Sequence, residues 1–310
     1  MINFRFHLVS LTAVFLALGI GIAVGATVVD RATVHFLETR LQGVEERLDT
    51  TDTENEQLRA EVDRWGAFSE QARDEAVAGR LEGVPILLLG VQGIDREPVD
   101  ELRRSLTAAK AGVQGTVWFT SKLRLEKPED ATALAGILGI APRSGDAVRR
   151  SLVNILAAEL AGQPAAGLLP QLRDAAFVEF EAPEGGTGDL AAVPAEGTRF
   201  VVMSDGEADV PNDVLATPFA SQLALAARAR VLAVEAGRAP QGDTQGQRAL
   251  FVGGLRGEGQ VSPLLSTVDN LEDFRGRFAA IYALRDLGSS KVGHYGVGPG
   301  AARLVPETAA

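Results

Sequence analysis

LVSLTAVFLALGIGIAVGATVV, Leu8 to Val29, contains no formal charge and no proline. As a helix such a run is roughly 33 Å long, enough to cross a bilayer core with little tilt. Directly after Asp30 and Arg31 a different pattern begins. A mainly apolar seam recurs at alternating steps of three and four: Val34, Leu37, Leu41, Val44, Leu48, Thr51, Asn55, Leu58, Val62, Trp65, then Ser69, Ala72 and Ala76. The mean step of about 3.5 residues is the period of a left-handed coiled coil. A membrane span that runs straight into a heptad repeat predicts an anchor, a stalk and a head.

The anchor is too long for the apolar core of a secretory signal, although Ala23 and Gly25 offer small residues where a cleavage site would lie. A cleaved signal is therefore the alternative to a retained span. Arg5 and His7 precede the span, and Arg31, Arg40 and Arg47 follow it among Glu38, Glu45 and Glu46, so charge alone does not orient it. A short N-terminal flank and a long downstream domain favour a signal anchor in the plasma membrane. The N-terminus is then cytoplasmic and the head extracytoplasmic, and an outer-membrane location fits less well. Gly21 and Gly25 form a GxxxG pair, but neither falls on the seam projected back from the stalk.

With Leu41 at heptad position a, Asn55 is also at a, where a single asparagine favours a parallel two-stranded register. Arg40 then faces Glu45 of the partner helix, Arg47 faces Asp52 and Glu54 faces Arg59. Each such pair contributes about 0.2–1 kcal/mol, so the charges choose partner and direction more than they stabilise. The expected interface is Leu37, Leu41, Val44, Leu48, Asn55, Leu58, Val62 and Trp65, in a homodimer or with another coiled-coil chain. A single helix folded back on its own head is the alternative, but the stripe is narrow for that packing. The seam weakens after Trp65, and Gly79 and Gly83 are placed to end the helix. About 46 residues of stalk would span on the order of 70 Å.

From Gly83-Val84-Pro85 onward short apolar runs alternate with amphipathic stretches. Strands are expected at 85–89, 115–119, 176–180, 200–203, 231–234 and 263–267. Helices are expected at 99–109, 128–138, 147–161, 215–229 and 271–287. This alternation predicts an α/β head with a mainly parallel, doubly wound, Rossmann-like sheet. The segments 182–188 and 237–246 read as exposed loops. The division is thus 1–7 flank, 8–29 transmembrane helix, 31–80 stalk, 84–300 head and 301–310 tail.

The chain carries −11 net charge and no cysteine, which argues against nucleic-acid binding and leaves neither a disulfide nor a thiolate site. Strand one is followed by GVQGID, so the G-x-G-x-x-G dinucleotide fingerprint is missing. No Walker loop, G-x-S-x-G elbow or H-E-x-x-H occurs. The glycines of GVGPG at 296–300 are followed by no clear helix. No catalytic residue, metal ligand or cofactor is therefore assigned, and the head is read as a non-enzymatic, protein-binding module. At the carboxyl end of its last expected strand stand Asp269 and Asn270. Asp269 is expected to cap the helix after it. The enzymatic alternative pairs Asp269 with His294 as acid and base.

The N-terminal block INFRFHLVSLTAVFLALGIGIAVGA (2–26), STVDN (266–270) and GHYG (293–296) resemble the actinobacterial MctB family of copper transport proteins. The resemblance marks Ser266, Thr267, Asp269, Asn270, His294 and Tyr295 as the head's candidate motif, for binding or for structure, and the order of parts is similar from end to end. The resemblance implies copper homeostasis or efflux in the envelope, with some members proposed as outer-membrane channels. It also implies, for some members, coiled-coil partnership with regulators of cell-wall hydrolases. Copper enters only through this resemblance. Copper(I) favours thiolate, thioether and imidazole, and the head offers only Met203 and His294. A pore is hard to build from one span with no polar stripe.

Overall fold

The structure, a computed structural model, describes residues 4–162, 167–183, 185–186, 189–237 and 250–307. Side chains at 26–34, 39, 70, 73–74 and 250 lie outside that description, Val34 of the expected seam among them. The chain divides into two compact units, residues 1–68 and 69–310.

From residue 4 to residue 68 the first unit is helical. It is the larger part of one continuous α-helix, α1 (Phe4–Val77). Among the described residues the apolar, membrane-length part of α1 is Phe4–Gly25. No break separates it from the heptad region, as expected where neither proline nor a paired glycine interrupts the helix.

In the second unit α1 ends at Val77, and Gly79 and Gly83 adopt φ of +67° and +72°. Only glycine takes that conformation without steric cost, so these two residues stop the helix. Val77 and Leu81 are fully buried in the head's core, and the Tyr282 hydroxyl donates to the Ala76 carbonyl at 3.2 Å.

The head is a seven-stranded sheet: β1 (Pro85–Val91), β2 (Gly112–Phe119), β3 (Val178–Glu181), β4 (Arg199–Ser204), β5 (Val231–Glu235), β6 (Leu265–Val268) and β7 (His294–Tyr295). The spatial order is β3-β2-β1-β4-β5-β6-β7, parallel throughout except for the antiparallel edge strand β3. Helices α2 (Arg96–Ala108), α3 (Pro128–Ile137), α4 (Gly145–Gly162), α5 (Leu168–Asp174), α6 (Ala216–Ala226), α7 (Leu250–Gly257) and α8 (Phe274–Leu287) cover it. β1 shows why both faces are covered. In PILLLGV, Ile86 and Leu88 enter the core under α2 and α8, whereas Leu87, Leu89 and Val91 enter the opposite core with α3 to α7. Continuous apolar strands of this kind belong to buried parallel sheets.

The expected strands and long helices all appear, with ends displaced by a few residues. Three short elements were not anticipated: α5, α7 and β7. The segment expected as strand 263–267 begins with a 3-10 turn at Ser262–Leu264, and pairing starts only at Leu265. Of the two expected loops, only Gly237 of the second and part of the first lie within the described residues. Residues 301–303 return alongside β7, where Tyr295 bridges to Arg303.

Candidate functional site

Two places carry the candidate residues. On α1, Leu37, Leu41, Val44, Leu48, Leu58, Val62 and Trp65 are between 52% and 68% exposed, and Asn55 is exposed among them. Phe68 extends this stripe, its ring edge-on to Trp65 with centroids 5.9 Å apart. Apart from Leu225 and Val297 in the head, the strongly exposed large apolar side chains among the described residues all lie on α1. A stripe of this length would normally be buried against a partner.

The second place is the junction of β6, α7 and β7, where the 266–270 and 293–296 motifs meet. β7 pairs with β6 so that Thr267 lies opposite His294 and Val268 opposite Tyr295. The Ser266 hydroxyl accepts from the Gly293 N–H at 3.1 Å, and the Thr267 N–H donates to the Gly293 carbonyl at 3.0 Å. The motifs are thus two neighbouring parallel strands, clamped at their start.

Asp269 does not cap the following helix. That role falls to Asp273, whose carboxylate accepts from the Arg275 N–H at 2.9 Å. Asp269 instead meets Arg256 of α7 at 2.6 Å, with side chains only 0% and 3% exposed. Its two oxygens also accept from the Val297 and Gly298 N–H groups at 2.7 and 2.9 Å. The glycine-rich 296–300 loop therefore wraps an internal carboxylate, as such loops elsewhere wrap an anionic ligand. Gly296 is required there: at φ +126°, a Cβ would sit 2.1 Å from an Asp269 oxygen.

Arg256 is the centre that sequence reasoning missed. Its Nε donates to the Thr267 hydroxyl (2.7 Å), and its Nη atoms reach the carbonyls of Tyr295 (2.7 Å) and Pro299 (3.0 Å) besides Asp269. A lone arginine in the glycine-rich LFVGGLRG gives no periodic signal, and only its separation of 13 residues from Asp269 could have hinted at the pair.

His294 bridges two hydroxyls, with Ser262 2.8 Å from Nε2 and Thr267 3.0 Å from Nδ1. Burial and the nearby Arg256 charge hold its pKa below the usual imidazole range. Both ring nitrogens are thus engaged by hydroxyls of the chain itself. Among the described contacts no hydrogen bond or ion pair joins His294 to Asp269. Asn270 is 2% exposed with neither amide atom hydrogen-bonded, and its carbonyl occupies the space a Cβ at Gly276 would need. Tyr295 contributes its backbone carbonyl rather than its ring.

In sheets of this kind ligands bind where the strand order reverses, here between β1 and β4. The chain itself fills that position. Asp205, after β4, accepts from the Asp95 N–H at 3.0 Å, and the Asp209 N–H donates to the Gln92 carbonyl at 2.7 Å. Gly93 makes room for this: a Cβ would lie 2.7 Å from the Asp209 nitrogen. Burial raises the Asp205 pKa. Among the described residues no group of three or more His, Cys, Asp or Glu is placed to hold a metal, and Met203 is fully buried.

A family model described as copper transport outer membrane protein, MctB, matches residues 1–306. The chain belongs to the MctB family. The copper transporter MctB of Mycobacterium tuberculosis is 26% identical over 324 residues, spanning 97% of this chain and 98% of that protein. The copper transporter MctB of Mycobacterium bovis matches to the same extent. The family resemblance seen in the N-terminal block, 266–270 and 293–296 therefore holds over nearly the whole chain. In this MctB-family chain the two late motifs are adjoining strands built around Arg256 and Asp269.

Proposed function

We propose that the chain is a membrane-anchored, non-enzymatic envelope protein that pairs with a second copy through α1 and presents a Rossmann-like, protein-binding head. The exposed heptad stripe from Leu37 to Trp65 carries this reading. Charge complementarity supports a second copy as the occupant: in a parallel register Arg40, Arg47 and Glu54 would each meet an opposite charge on an identical helix. The strand order and the two buried faces support the Rossmann-like description, and the self-filled crevice between β1 and β4 supports binding through the surface rather than catalysis. The apolar Phe4–Gly25 supports an anchor in the plasma membrane.

Because the native chain has no cysteine, single-cysteine variants test the pairing cleanly. Leu48→Cys, on the seam, should form a disulfide-linked dimer under mild oxidation, whereas Thr53→Cys, on the opposite face, should not. Equal crosslinking at both positions, or at neither, contradicts the reading.

The family's printed description favours a second reading, a copper homeostasis or efflux component. The donors fit it poorly, since Met203 is buried and His294 is bound on both nitrogens. Copper(I) titration of the full chain, with His294→Ala beside it, decides between them. Submicromolar binding lost in His294→Ala would support copper handling by the head.

A further inference from the structure

β5 ends on Glu235, a carboxylate only 4% exposed that the pairing of α1 does not involve. One of its oxygens accepts from the Phe251 and Val252 N–H groups at 3.1 Å each, the unpaired donors of the first turn of α7. At its other end α7 is held by Arg256 on Asp269. Two buried carboxylates thus fasten this eight-residue helix, which buries Phe251, Val252 and Leu255 completely.

The two ends differ in charge. Among the described residues Asp269 has its own cation, whereas Glu235 is met by backbone N–H groups alone. The charges that bear on Glu235 are Asp205 from the end of β4 and Asp269 from β6, the latter already paired with Arg256 of α7. Helix α6, which also packs on α7, carries no charged residue. An ionised Glu235 therefore adds an uncompensated negative charge beside two carboxylates and one cation.

We propose that Glu235 is a proton-dependent clasp for α7: protonated, it keeps the helix closed on the sheet, and ionised, it favours opening. Burial, reinforced by Asp205 and Asp269 against the pull of the two N–H donors, pushes Glu235 up to about 7. In an opened α7 the carboxylate meets water and returns to the ordinary range near 4.5. The closed form thus binds the proton more tightly, and rising pH favours the open form until Glu235 is fully ionised. Opening would uncover Phe251, Val252 and Leu255 and release Arg256.

Hydrogen exchange of the 250–257 segment in the full-length chain, in lipid nanodiscs from pH 5 to 8.5 and corrected for intrinsic rates, tests the clasp. The opening ratio should rise about tenfold per pH unit up to about 7 and level off above. Glu235→Gln keeps a carbonyl acceptor and should stay flat at the closed, low-pH level. A flat wild-type profile, or an unchanged slope in Glu235→Gln, overturns the proposal. Carbon-13 titration of the wild-type carboxyl gives a check that requires no variant: a midpoint near 7 supports the clasp, and one below 5 removes it.

Discussion

Asp269 and Arg256 form a desolvated pair whose every polar atom on the carboxylate side is engaged, so losing one partner strands the other charge. Asp269→Ala is expected to cost about 3–5 kcal/mol of head stability by chemical denaturation. A loss below about 1 kcal/mol would show that water replaces the contact easily. Glu235 acts in a pH-dependent way. Its raised pKa means the folded head binds its proton more tightly than the unfolded chain does. Stability from this group is complete below about 4.5 and declines as pH rises to about 7, by about 3 kcal/mol in all. Melting curves at pH 5 and pH 7.5 should differ in wild type, and differ less in Glu235→Gln. The Ser266–Asn270 and Gly293–Gly296 motifs were legible through the family resemblance, and Asp269 with Asn270 also through their place at the end of a strand. Arg256 and Glu235 were not. One is a single charge among glycines, and the other is the last letter of the valine-rich strand VLAVE, where a carboxylate reads as the start of a loop.

The packing of β1 on β2 turns on one small residue. Gly90 lies beneath Trp118, whose ring would be 2.4 Å from a Cβ, while the Arg96 guanidinium stacks on the ring at 3.7 Å. The indole N–H donates to Glu181 at the end of β3, which Arg103 also binds, so the edge strand is tied to the same ring. Gly90→Ala should therefore destabilise the head by about 1–3 kcal/mol through overpacking, measurable as a lower melting temperature. The strands and long helices were readable because their burial follows simple periods, as in Val99, Leu102 and Leu106 of α2. Helices α5 and α7 escaped because seven or eight residues give too few turns for a period to emerge. β7, two residues long, exists only because β6 offers an edge beside it.

At the scale of the molecule, exposed apolar surface is divided unequally: α1 carries a continuous stripe, while the head keeps its apolar residues inside. The proposed pairing through α1 rests on that division, with Asn55 as its register key. A buried asparagine at an a position costs stability but selects two strands in parallel, because each amide finds its symmetry mate. Replacing it should relax that choice without touching the head, since Asn55 lies in the first unit and the sheet lies wholly in the second. The most direct measurement is sedimentation equilibrium of the full-length chain in a density-matched detergent, wild type beside Asn55→Val. A wild-type dimer, with Asn55→Val shifting toward trimers or a mixture of states, is the expected result. A wild-type monomer at micromolar concentration would contradict the account.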